Sequence, residues 1–230
     1  MRLDKFLSST GYGSRKDVKN IIKKKRIKVD SVVSLDESLN IDPKVNKVYI
    51  DDKIIEYKEF VYLLLNKPKG YISATTDSKV STILDLIHDY KYLNLFPVGR
   101  LDKDTTGIIL ITNDGDLAHN MLSPKKHVEK VYIATLNKPI TNYEFVKESL
   151  EKGIIINNEL TLPASLDKID DLNYKITLHE GKYHEVKLMF KYFKYEVVSL
   201  DRISFGKFTK DNIEIGNYIE LNEEEIKEYK

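Results

Sequence analysis

The sequence predicts an α+β fold: a small N-terminal helix-helix-strand unit over residues 1–58, then a larger domain over residues 60–230 built on a mixed, largely antiparallel sheet. Three observations predict it. Short segments that alternate apolar and polar residues outnumber segments with helical spacing. Few strand-helix-strand units follow one another, which argues against a wholly parallel sheet. The character of the chain also changes at Glu56–Phe60 ("EYKEF"), where short hairpins give way to a long apolar run.

The elements follow in order. Leu3, Phe6 and Leu7 recur at helical spacing, and Gly11 and Gly13 end that helix. Ser14 is suited to cap a second helix with Val18, Ile21 and Ile22 on its apolar face. "RIKVDSVVS" reads as strand, turn at Asp30-Ser31, strand, and "KVYIDDKII" repeats this around Asp51-Asp52. In the larger domain, "VYLLLNKPKGYISA" reads as a buried strand, a Lys-Pro-Lys-Gly turn and a second strand, and "TILDLIHDY" as a short helix. "TGIILIT" is a strand, "DGDLAHNMLS" a helix capped by Asp114, and "VEKVYIATL" an alternating strand. "TNYEFVKESLEKG" is a helix capped by Thr141 or Asn142 and stopped by Gly153. "YKITLHEGKYHEVKLMFKYF" gives a strand, a glycine turn and a helix. "YEVVSLDRISFG" and "GNYIEL" give strands, and "NEEEIKEYK" a terminal helix capped by Asn222.

Composition narrows the function. With 41% hydrophobic and 32% charged residues the 230-residue chain has an ordinary globular balance. It has no Cys, which excludes disulfides, thiolate metal sites and a cysteine nucleophile and fits a reducing compartment. The N-terminus lacks an apolar h-region, so no signal peptide is expected, and the apolar runs are too short to span a bilayer. A soluble, monomeric, cytoplasmic protein is expected. The net charge of +1 hides an asymmetry: residues 1–28 hold ten Lys/Arg against two acids, a net +8, which leaves −7 for the rest. A basic end on an otherwise acidic chain points to a polyanionic partner. No phosphate-binding Gly-rich loop, nucleophile elbow or His-Glu-x-x-His pattern occurs, and the five His are scattered. The chemistry therefore falls to Asp, Arg, Lys and Tyr, with no metal and no cofactor.

The densest cluster of such residues is "FPVGRLDKDTTGIILITND", residues 96–114. A turn explains Asp104 ahead of Thr105-Thr106-Gly107 well. It explains Asp102, set between cations and beside Leu101, poorly. The block from Gly99 to Leu136 resembles the central motif of the ribosomal RNA pseudouridine synthases. "NKPKGYI" before it, and "EGKYHEVKLMF" and "VVSLDRISFG" after it, match further blocks of that family in the same order. Residues 2–30 resemble the alpha-L RNA-binding module shared by a small-subunit ribosomal protein and a tRNA synthetase. Within the family the chain is most similar to the RsuA-like branch, which acts on small-subunit (16S) rRNA.

The resemblance implies a fold, a reaction and residues. The larger domain is a pseudouridine synthase catalytic domain, and the partner is ribosomal RNA, in the small subunit or its assembly particle. The reaction breaks a uridine N-glycosidic bond, turns the base and joins its C5 to the ribose, without redox agent, metal or ATP. Asp102 is the essential carboxylate, as nucleophile or base. Lys187 pairs with it and opposes protonation. Arg100 braces the loop or the RNA strand, Tyr132 stacks on the target base and Leu200 lines the pocket. RNA contacts fall to Arg15, Lys16, Lys19, Lys23, Lys24, Lys25 and Arg26 of the module, with Lys69 and Arg202 near the site. The chain departs from the family pattern at Lys25 (a turn Gly), Glu185 (Gln), Leu188 (a basic residue) and Ser204 (Arg); the acid and the missing cations should weaken RNA attraction there. Three other readings stay open: the same reaction on large-subunit rRNA, a non-catalytic RNA-binding assembly factor, and a nucleosidase using Asp102 and Asp104 as a carboxylate pair.

Overall fold

A computed structural model describes residues 1–123 and 125–230. They form two units, residues 1–60 with 87–95, and residues 61–86 with 96–230.

In the first unit, helix α1 (Leu3–Ser9) precedes helix α2 (Arg15–Lys23). Ser14 and Asp17 form a reciprocal capping box at the start of α2: the Ser14 side chain accepts from Asp17 N, and the Asp17 side chain accepts from Ser14 N. Strands β1 (Ile27–Val29), β2 (Val32–Val33), β3 (Val48–Ile50) and β4 (Lys53–Ile54) form an antiparallel sheet in the order β2-β1-β3-β4. The hairpins turn at Asp30-Ser31 and Asp51-Asp52, all four at positive φ, as a two-residue loop with right-handed strand twist requires. Leu3, Phe6, Leu7, Val18, Ile22, Ile27 and Val48 pack into one core, which leaves the cations of α2 outside. Lys25, where the resemblance leads one to expect a turn glycine, adopts the left-handed conformation that glycine favours, with φ 60. The turn geometry is therefore kept, at the steric cost an L-residue meets there.

In the second unit the central strands are β5 (Tyr62–Lys67), β6 (Phe96–Pro97), β7 (Thr106–Thr112) and β8 (Lys130–Leu136). After helix α4 (Tyr143–Lys152) the chain adds a small hairpin, β9 (Ile155–Ile156) with β10 (Glu159–Leu160), then β11 (Ser165–Lys168) and β12 (Asn173–Leu178). Strands β13 (Val197–Phe205), β14 (Phe208–Thr209) and β15 (Tyr218–Glu220) complete the set. The main sheet runs β11-β12-β8-β13-β7-β5-β15, with β14 on β13 and β6 on β7. All its pairs are antiparallel except β13 with β7. Every residue of β5, and all of β7 after Thr106, is buried, so both faces of the sheet centre are covered. The helices are α3 (Gly115–Leu122), α4 (Tyr143–Lys152), α5 (Glu185–Tyr192) and α6 (Glu223–Ile226). Asp114 caps α3 by accepting from Leu117 N, and Asn222 caps α6 in a second capping box.

Several local expectations differ from the fold. The strand expected at "YISA" reduces to one bridge, Ile72 with Thr82. Ser73 instead spends its hydroxyl on Leu101. "TILDLIHDY" holds only a 3₁₀ turn over Ile83–Leu86: Asp85 accepts from Thr82 N and closes it, and one turn is too short to propagate as a helix. Asn142 stands at the start of α4 with no side-chain cap, and Thr141 N instead donates to the Tyr195 hydroxyl. The β9–β10 hairpin and β11 were not expected from the sequence pattern.

Candidate active site

The loop that carries Asp102 is clamped from several directions. Lys67, fully buried at the end of β5, points its ammonium at three backbone carbonyls: Pro68 O at 3.1 Å, Asp102 O at 3.0 Å and Thr105 O at 2.7 Å. The Ser73 hydroxyl donates to Leu101 O and accepts from Leu101 N, both at 2.9 Å. Gly70 N donates to Lys103 O, and Thr105 N closes a turn on Asp102 O. A lysine with three donors and three carbonyls in place is saturated. Burial, opposed in part by Asp104 and Asp102, pulls its pKa down from 10.5 to about 8.

The Asp102 side chain meets two groups from the segment that opens α5. Lys187 Nζ donates to Asp102 Oδ2 at 2.8 Å and to Asp104 Oδ1 at 2.6 Å. Burial alone would lower the Lys187 pKa; its hydrogen bonds to the two aspartates and their charges outweigh that and raise it. The hydrogen bond from Lys187 in turn holds Asp104 below the ordinary carboxylate range. His184 Nε2 lies 3.3 Å from Asp102 Oδ1. His184 holds φ 52, a left-handed conformation forced by the turn into α5.

These groups line a cavity of about 850 Å³, within the usual range for a ligand site. Its floor comes from strand alternation. On β8, Lys130, Tyr132 and Ala134 face one way; on β13, Leu200 and Arg202 face the same way, with Arg202 opposite Tyr132 and Leu200 opposite Ala134. Tyr132 is buried with its ring against the cavity, and Leu200 is its apolar neighbour in the lining. The cavity therefore joins an ion-paired carboxylate, an aromatic ring and an apolar side chain.

Three residues stand in surroundings that the sequence does not show. Arg202 is not an open surface cation: it is 2% exposed in the cavity floor, its Nε donates to Ile108 O and its guanidinium lies 4.8 Å from the centre of the Phe205 ring. Strand β13 turns it inward because it shares the face of Leu200. Arg100 is exposed at the cavity wall and, among the described residues, forms no ion pair with Asp102, so of its two expected roles the contact with the RNA strand is the one its position leaves open. Glu185 is not an open surface acid: it is buried in the cavity lining, its Oε2 accepts from Lys182 N, and burial together with Glu180 pushes its pKa up to about 7. Lys130, buried beside Arg202, is pulled down to about 8, mainly by burial.

In the first unit Arg15, Lys16, Lys23, Lys24 and Lys25 are exposed. Lys19 is taken by Glu37 at 2.7 Å, and Arg26 makes a forked ion pair with Asp51. Lys69 is exposed in the turn after β5. Lys67, Ser73 and His184 were missed as site residues. The "NKPKGYI" and "EGKYHEVKLMF" blocks contain Lys67 and His184, and Ser73 directly follows the first, but no local pattern says which lysine is buried or which histidine reaches a loop some 80 positions away.

Residues 61–192 match the RNA pseudouridylate synthase family, and residues 1–46 match the S4 domain. The uncharacterized RNA pseudouridine synthase YtzG of Bacillus subtilis (strain 168) is 43% identical over 233 residues, covering 98% of this chain and 97% of that protein. The ribosomal small subunit pseudouridine synthase A of Escherichia coli (strain K12) is 36% identical over 229 residues, 98% of each. A crystal structure of a pseudouridylate synthase covers 100% of both chains at a TM-score of 0.69 and 33% identity.

Proposed function

The chain belongs to the RNA pseudouridylate synthase family, and from that premise we propose that it converts one uridine of small-subunit ribosomal RNA to pseudouridine in the cytoplasm, with Asp102 acting on the ribose. The observation that carries this reading is the Asp102 carboxylate, gripped by Lys187 and His184 at the wall of a cavity lined by Tyr132 and Leu200. The full-length likeness to ribosomal small subunit pseudouridine synthase A supports the substrate.

The reaction is an isomerisation and balances within the substrate. The uridine leaves its stack to enter the cavity. The C1′–N1 bond breaks as the Asp102 carboxylate attacks the sugar or removes a ribose proton. The detached uracil turns against the Tyr132 ring and C5 bonds to C1′, as the Asp102–C1′ bond breaks or, on the proton-abstraction route, as Asp102 returns the ribose proton. C5 gives up its proton and N1 holds one in the product. Lys187 holds Asp102 Oδ2 by a hydrogen bond, and the Lys67 and Ser73 clamps keep the carboxylate from swinging away from C1′. The nucleosidase alternative is disfavoured, since Lys187 keeps Asp104 ionised and unable to act as the acid. A bare assembly factor would have no use for such a clamped carboxylate.

The test uses ribosomal RNA from cells lacking the protein, treated with wild type or Asp102→Asn, with pseudouridine mapped by carbodiimide modification and primer extension. We expect a new stop in small-subunit RNA with wild type and none with the variant, while RNA binding is retained. A stop only in large-subunit RNA would move the substrate, and turnover by Asp102→Asn near that of wild type would remove Asp102 from its role.

A further inference from the structure

Tyr183 stands in the open beside Asp102, and the reaction above gives it no task. It is 70% exposed, yet one face is covered: its ring lies on the His184 imidazole, centroids 3.8 Å apart and planes at 17°. His184 is itself fixed by its contact with Asp102 and its left-handed backbone, a conformation that persists only where the surroundings over-determine it. Both rings line the same cavity as Asp102. The second face of Tyr183 is therefore an aromatic surface of fixed orientation at the cavity rim.

A free aromatic face parallel to a second ring accepts a nucleobase of any sequence, because every base has a π-face. Its surroundings favour a nucleic-acid strand over an apolar protein partner: Arg100 and Lys103 lie exposed on the same cavity wall, as cations for a phosphate backbone. Extruding the target uridine leaves the adjoining bases without a stacking neighbour. Tyr132 is buried inside the cavity, where the target base goes; Tyr183 is at the rim, where the strand enters and leaves.

We propose that Tyr183, braced by His184, is a stacking platform for a nucleobase adjoining the target uridine. The proposal rests on the RNA-modifying reading above and adds to it a contact that holds the flanking strand while the uridine is extruded.

The test titrates the full-length protein into an oligouridylate decamer carrying one 2-aminopurine, using wild type, Tyr183→Phe and Tyr183→Leu. Wild type and Tyr183→Phe quench the 2-aminopurine fluorescence and bind alike. Tyr183→Leu loses the quenching and binds roughly 5- to 150-fold more weakly. Equal quenching and affinity across the three proteins overturns the platform. Pseudouridine mapping with the same proteins separates this failure from that of the reaction. If wild type forms pseudouridine and Tyr183→Leu matches it in quenching and affinity, the platform falls and the reaction stands. If wild type forms none but the Leu variant alone loses quenching, the platform stands and the reaction falls.

Discussion

Lys67 makes the most consequential single contact outside the site chemistry. Its three ammonium protons match the carbonyls of Pro68, Asp102 and Thr105 one for one. A neutral amine has two protons, so losing one frees a carbonyl of the loop that aims Asp102. Activity of wild type should therefore fall as the pH rises through about 8. Lys130 titrates in the same range, so the variant assigns the limb. Lys67→Met should lower kcat by about 100-fold, the usual penalty for a displacement near 1 Å, and its remaining activity should lack the Lys67 limb. Stability should move the other way. The folded pKa lies below 10.5, so between about pH 8 and 10.5 the unfolded chain binds more protons, and wild type gains stability relative to Lys67→Met as the pH rises. Parallel denaturation and rate measurements from pH 7 to 10.5 check both signs; a wild-type rate flat across that range would remove Lys67 from loop control.

At the scale of elements, the site depends on the one parallel pairing of the sheet. Strand β7 ends the Asp102 loop, and β13 carries Leu200 and Arg202; Gly107 and Arg202 are partners in their ladder. Gly107 has φ 104, and a Cβ there would lie 2.2 Å from Arg202 O and 2.6 Å from Arg202 N. Only glycine permits this approach, because the obstacle is backbone on the neighbouring strand and cannot rotate away. Thr106 adds a side-chain clamp between the strands by donating to Asp201 Oδ1 at 2.7 Å. Gly107→Ala should cost about 3 kcal/mol or more in a urea melt and weaken turnover further, since it separates the carboxylate from the floor of its cavity. A change within about 0.5 kcal/mol, typical of an unconstrained surface position, would mean that the strands do not approach so closely.

At the scale of the whole molecule, charge is divided between the units. The first carries the exposed cations Arg15, Lys16, Lys23, Lys24 and Lys25; the second carries the candidate active site. Replacing these five by Gln should weaken binding to ribosomal RNA at all sequences and flatten the dependence of log K on log salt by up to about four, close to one unit per lost phosphate contact. Lys19 and Arg26 are tied to Glu37 and Asp51 and should contribute less than the free five. Filter binding across a salt series measures the slope, and a slope equal to that of wild type would take the first unit out of phosphate binding.

Local chemistry made much of this legible in the sequence. Ser14, Asp114 and Asn222 cap their helices because a short polar side chain satisfies a free N–H wherever it stands at a helix start. Asp30-Ser31 and Asp51-Asp52 turn hairpins because such residues tolerate positive φ, and Asn157-Asn158 carried the same signal for the β9–β10 hairpin that the pattern reading passed over. The ordered motif blocks singled out Asp102, Tyr132 and Lys187, and in the structure all three line one cavity. The direction of Arg202, the burial of Lys67 and Glu185, the approach of His184 to Asp102 and the open position of Arg100 belong to the tertiary structure alone. Each depends on which strands the sheet sets side by side, and strand order joins residues far apart in the chain, a relation that local periodicity does not encode.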